Sequence, residues 1–214
     1  MRTVLKSCSI SVLALVALLV AGCSQSAPAP AAGGSAPANT PAAPPEMVTA
    51  KTAFWPMYKS AQAWSSDAVA IKLSPANVPG FTNDTGKAAE WQATFGSPSK
   101  HQYRVFSYAI VTVLPDVHKG TTADMAMPWA GQTRDAMPID TTAFNVDSDA
   151  AYKTAAAQAT VWLAKNPGKA PTSLDLGSTF ALHAPAWYIA WGDKTNGFVA
   201  MVNADTGEAF KSKK

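Results

Sequence analysis

WYIAWGDKTNGFVAMVNADTGEAF, residues 187–210, decides the fold. Trp187, Ile189 and Trp191 share one strand face by the two-residue period, and Phe198, Ala200 and Val202 do the same. The five residues Asp193-Lys194-Thr195-Asn196-Gly197 join the two runs, with Asn196-Gly197 expected to supply the positive-φ residues of a tight hairpin. Asp205-Thr206-Gly207 marks a second turn before a short strand at 208–211. Strands with one apolar face predict an antiparallel sheet covered on one side.

Upstream, Tyr152, Ala155, Ala156, Ala159, Trp162 and Leu163 recur at helical spacing. Asp147-Ser148-Asp149 supplies capping oxygens and early negative charge, and Asn166-Pro167-Gly168 ends the helix. A strand is expected at 173–182. The earlier part of the chain reads alike. Phe54, Met57, Tyr58, Ala61, Trp64 and Ala68 predict a helix with Pro56 in its first turn. Strands are expected at 90–95, 103–113 and 120–127, with 74–87 as an insertion. Each half is thus helix, strand, strand, strand, the order of an internal duplication.

The second half resembles the PepSY domain, on DSDAAYKTAAAQA at 147–159 and on the hairpin and D-A-x-T-G-E-like turn, in which Asn203 replaces the usual Asp. The resemblance implies an α+β fold of two tandem PepSY-like units, each a helix on an antiparallel sheet. It also implies a role in protein contacts of the cell envelope, or in restraining a peptidase, without catalytic residues. The expected organisation is a signal at 1–22, a tether at 23–47, a divergent first unit with its connector at 48–146, the PepSY-like unit at 147–211 and a basic tail at 212–214.

Chemistry finds little purchase. Ser97 and Ser99 in Gly96-Ser97-Pro98-Ser99-Lys100-His101 lack a G-x-S-x-G elbow and read as a turn between strands. The three histidines show no metal-ligand spacing. Met125 and Met127, with His118 nearby, are the candidate copper(I) ligands, although one strand face bearing both reads equally as core filling. Of seven tryptophans, Trp64, Trp91, Trp162, Trp187 and Trp191 fall on core stripes, leaving Trp55 and Trp129 as candidates for an exposed contact. No cofactor and no enzymatic activity are expected. The function expected is a protein or peptide interaction module. The alternative is a small-ligand binder, for glycan or copper, using exposed aromatics or methionines.

The amino terminus carries the address. Arg2 and Lys6 precede thirteen uncharged residues, 9–21, too few for a comfortable membrane span. Val20-Ala21-Gly22-Cys23 resembles the bacterial lipobox, which implies lipidation of the Cys23 sulfur, cleavage after Gly22 and acylation of the new amino terminus. Ser24 in place of the inner-membrane retention Asp implies the outer membrane, with the body facing the periplasm. Residues 24–45, with six prolines, eight alanines and no charge, read as a tether. Loss of Arg2 and Lys6 leaves 15 basic against 14 acidic side chains, a balance that argues against a nucleic-acid partner. The expected partners are the membrane, through the lipid, and an envelope protein or peptide. Metabolic labelling with palmitate is expected to mark the protein and to be abolished by Cys23→Ser.

Overall fold

A computed structural model describes residues 45–210; the expected lipidation site Cys23, the expected signal, most of the expected tether and the basic tail lie outside them. The chain enters through β1 (Val48–Thr49), which pairs with β3 (Lys87–Ala88), and passes directly into helix α1 (Ala50–Trp64). Strands β2 (Val69–Pro75), β4 (Glu90–Ser97) and β5 (Gln102–Ala109) follow, with short strands β6 (Gly120–Ala123) and β7 (Met127–Pro128) along β5. A connector leads to helices α2 (Ser148–Gln158) and α3 (Thr160–Lys165), then to β8 (Ser173–Ser178), β9 (Pro185–Trp191) and β10 (Phe198–Asn203).

One antiparallel sheet results, in the order β10-β9-β8-β2-β4-β5-β6. Read outward from the central β2–β8 pair, each half lays down its three strands in chain order. The fold is therefore α+β, with helices packed on one face of an antiparallel sheet. Helix α1 rests on β2, β4 and β5, and α2 on β9 and β10.

The two halves match in detail. Trp91 on β4 donates its indole N–H to the Val48 carbonyl just ahead of α1, at 3.0 Å; Trp187 on β9 donates to the Val146 carbonyl just ahead of α2, at 2.9 Å. Both rings are fully buried and meet edge to face, centroids 6.5 Å apart. Phe144, from the connector, wedges between Phe54 and Trp187 to complete the aromatic core.

The helix starts are also shared. Thr49, the N-cap of α1, makes no capping bond. The Ala50 N–H donates instead to Ser148 Oγ (2.9 Å), and the Lys51 N–H to Asp147 Oδ1 (3.0 Å), which also accepts from the Ser148 N–H (2.7 Å). Ser148 Oγ donates in turn to the Gly86 carbonyl at 2.6 Å. A Cβ on Gly86 would collide with the Ser148 carbonyl, so only glycine passes there.

Several sequence expectations are corrected. The helix ends at Trp64, short of Ala68, and residues 69–75 form the central strand β2, where the sequence pattern predicts no strand: 69–73 fall between the helical stripe and the expected insertion, and 74–75 fall inside that insertion. A bulge between Ala70 and Lys72 puts buried Ala70 and Leu73 three apart, imitating helical spacing. Because α1 begins at Ala50, Pro56 is interior to it. The second helix breaks at Ala159, where the Thr160 hydroxyl donates back to the Ala157 carbonyl (2.7 Å). In the hairpin, neither Asn196 nor Gly197 has positive φ; Gly192 does, at +75°. The Asp193 carboxylate shapes that loop by accepting from the Thr195 and Asn196 N–H groups. Gly197 is needed for space, since a Cβ would meet the Trp191 carbonyl at 2.7 Å.

Ser148→Ala leaves the buried Ala50 N–H without its acceptor. It is expected to cost about 2 kcal/mol and lower Tm by roughly 4–8 °C, whereas Thr49→Ala should stay within about 0.5 kcal/mol. Thermal and urea unfolding of the two variants checks this.

Candidate functional site

The helices leave the opposite sheet face open, and the register decides what it presents. Lys72, Gly177 and Ala186 lie side by side across β2, β8 and β9, and Thr94 lies beside Lys72 on β4. The neighbouring rung sets Asp175, Tyr188 and Met201 abreast. Gly177 and Ala186 make a low floor; a Cβ built on Gly177 meets nothing within 4 Å. Ile71, Leu182, Tyr188 and Met201 stand around it, and the connector residues Asp135 and Ala136 close one side. The result is a largely apolar groove of about 460 Å³, within the range for ligand sites.

The connector is pinned there by three backbone bonds. The Met137 N–H donates to the Ser178 carbonyl (2.9 Å), the Phe180 N–H to Arg134 (2.9 Å) and the Ile139 N–H to Ala70 (2.7 Å). At the groove's end Asp175 accepts from Lys72 Nζ at 3.2 Å and from Ser173 Oγ at 2.5 Å. Lys72 is half exposed, so this pair orients the carboxylate more than it stabilises the fold. A second cavity, also about 460 Å³, opens on the other side of Asp175.

The residues singled out from sequence lie elsewhere. Trp55, 44% exposed, stands on α1 edge-on to Phe54 and Tyr58, in the helix layer. Trp129 is half-buried and laid over Gly96 on the other sheet face, where a Cβ would strike its ring. The two therefore form no common platform. Met125 and Met127 are exposed, at 82% and 47%, which overturns their reading as core filling. They also share no strand, because β6 ends at Ala123 and β7 starts at Met127. His118 is exposed ahead of β6. Among the described residues no group of three His, Cys, Asp or Glu side chains could hold a metal ion.

Asp147 and Ser148 sit at the paired helix starts. Asp205 accepts from the Asn145 side chain (2.5 Å), and Gly207 carries the positive φ of the last turn. Asn203 Oδ1 accepts the Asp205 and Thr206 N–H groups, which an Asp would do equally.

Ser97 is fully buried, and its hydroxyl donates to Asp67 at 2.8 Å. Asp67 also accepts from the Ser65 hydroxyl (2.6 Å) and the Ser99 N–H (2.7 Å). The Ser65 hydroxyl first, then the Ser99 N–H and Ser97 hydroxyl, hold the Asp67 carboxyl well below the usual carboxylate range. Among the described residues no histidine bonds to these hydroxyls, and the knot ties the end of α1 to the β4–β5 turn.

No protein-family model matches the sequence, and no curated protein matches it significantly. Among solved structures, a protein provisionally termed a lipoprotein, CD1622 of Clostridium difficile 630, aligns with a TM-score of 0.46 at 12% identity, over 72% of this chain and 87% of that one.

Because the folded state depresses the Asp67 pKa, its contribution is full above the unfolded value near 3.8 and is lost as pH falls toward the folded one. Asp67→Asn is expected to flatten the acid side of the stability–pH profile. Denaturant midpoints measured from about pH 6 down to pH 2 test this.

Proposed function

We propose that this is a lipid-anchored envelope protein, held through Cys23 at the outer membrane and facing the periplasm, that binds a protein or peptide segment without chemistry. The observation that carries the reading is the groove over Gly177 on the helix-free face. Its apolar walls of Ile71, Leu182, Tyr188 and Met201 are kept open by a glycine and an alanine on the floor. Such a trough accepts the side chains of an extended segment while the Lys72–Asp175 pair at its end meets main-chain polar groups. Restraint of a peptidase follows if the bound segment belongs to one.

We read the body as two tandem PepSY-like units fused through β2 and β8. Support comes from the repeated helix and three strands, and from the paired indole bonds of Trp91 and Trp187.

The sheet edges favour the groove over strand addition. The Val202–Asn203 end of β10 is already paired with residues 208–210, and β6 is only four residues long.

A photo-crosslinking amino acid at position 188, used in intact cells, is expected to give discrete protein adducts that Gly177→Leu diminishes by filling the floor. The same group at exposed Lys59 on α1 should give none of them. Equal adducts from both positions, or adducts indifferent to Gly177→Leu, would overturn the reading.

A further inference from the structure

The groove over Gly177 is charged as well as apolar. Its lining carries three charged side chains, Lys72, Asp135 and Asp175. Lys72 and Asp175 answer each other at 3.2 Å. Asp135 has no ion partner among the described residues. Its neighbour Arg134 is committed elsewhere, with the guanidinium over the Phe180 ring at 5.0 Å. One negative charge is therefore in excess beside the apolar walls.

The backbone fixes where that charge stands. Thr133 and Ala136 exchange N–H···O bonds, both at 3.2 Å, which puts Arg134 and Asp135 at the tip of a tight turn. The turn is held to the sheet on both sides, by the Phe180 N–H on the Arg134 carbonyl and by the Met137 N–H on the Ser178 carbonyl. Asp135 is exposed, so it belongs to the rim and not to the floor. Tyr188 lines the same groove and is 42% exposed. Phe180 has its cation in Arg134, whereas Tyr188 has none among the described residues. A Lys or Arg side chain meets such a place twice over, its stem and charge against the ring and its head at the carboxylate.

The side chains of an extended segment alternate, so every second one enters the floor and those between rise to the rim. Here the floor is apolar and the rim is acidic. We propose that the groove selects a segment in which apolar residues alternate with Lys or Arg. The apolar side chains settle over Gly177 and Ala186, and a basic one rises to Asp135. An acidic side chain in that place meets a like charge, which Lys72, already held by Asp175, compensates little. At about 6 Å in the dielectric of water, attraction for a cation and repulsion of an anion together separate the two by roughly tenfold. This inference rests on the groove being the peptide site and gives that site a substrate class.

The test uses the full chain as cells make it, reconstituted in nanodiscs of zwitterionic lipid, with empty nanodiscs as the blank. Three fluorescent heptapeptides, Ala-Leu-Xaa-Leu-Xaa-Leu-Ala with Xaa lysine, glutamine or glutamate, are titrated at low salt and read by anisotropy. The lysine peptide is expected to bind with Kd below about 1 mM and roughly tenfold or more tighter than the glutamate peptide, with glutamine between. About 0.5 M salt should shrink that ratio severalfold. Asp135→Asn should reduce the preference for lysine and Asp135→Lys should abolish or invert it, while Gly177→Leu weakens all three peptides alike. Asp135 is exposed at a turn tip, so these variants keep the fold. Asp116→Lys, the same charge change at an exposed residue outside the groove, should leave the preference intact. Equal affinity for the lysine and glutamate peptides, a preference that survives Asp135→Lys, or no binding of the lysine peptide up to about 1 mM overturns the proposal. Crosslinking at position 188 in cells uses none of these peptides. Adducts that depend on Gly177 beside a failed charge preference would sink this inference and leave the groove reading standing.

Discussion

Two buried indole N–H groups hold this fold in register. Leaving a buried tryptophan N–H unpaired costs about 1–3 kcal/mol. Trp91 and Trp187 each find an acceptor in the residue pair ahead of a helix. Each bond ties the start of a helix to the second strand of its own half. Because the two rings also touch at 6.5 Å, neither half can tilt its helix without disturbing the other. The position of α1 relative to α2, the insertion of Phe144 and the meeting of the helix starts follow from that contact.

With α1 and α2 committed to one face, the other face is left to its side chains. Along β8, Leu174 and Leu176 turn inward, so Ser173, Asp175 and Gly177 turn outward. That alternation puts a hydroxyl, a carboxylate and a bare backbone in one line at the centre of the sheet. The polar cavity and the apolar groove are the two ends of this line. Asp175 belongs to both because it stands where their chemistries change over.

What could be read from the sequence was whatever kept a clean period. The β9–β10 pair announced itself through Trp187, Ile189 and Trp191 against Phe198, Ala200 and Val202, and the register pairs those sets. Trp91, Trp187 and Trp191 were visible as core for the same reason, whereas Trp64 and Trp162, placed on core stripes as well, are half-buried and pack against the core from its margin. The central strand β2 was not, because its bulge replaces a period of two with a spacing of three between Ala70 and Leu73. Missing it also shifted the match between the halves by one strand, pairing β4 rather than β2 with β8. The groove was hidden by that error. Its floor needs β2 and β8 side by side, and its defining residue is a glycine whose value lies in the side chain it lacks. The exposed methionines were misjudged because period alone cannot tell a buried strand face from an edge that continues past Ala123 as irregular chain.

The shared cap carries a consequence for how the chain is made. Ala50 and Ser148 are 98 positions apart, yet the first helix obtains its capping oxygen only from the second. A ribosome or a secretion channel delivers the amino-terminal half first. Until residue 148 arrives, that half has an uncapped helix and a central strand with its second partner missing. Long-range closure of this kind slows folding and leaves an open strand edge exposed meanwhile. The protein is thus one cooperative unit in time as well as in space.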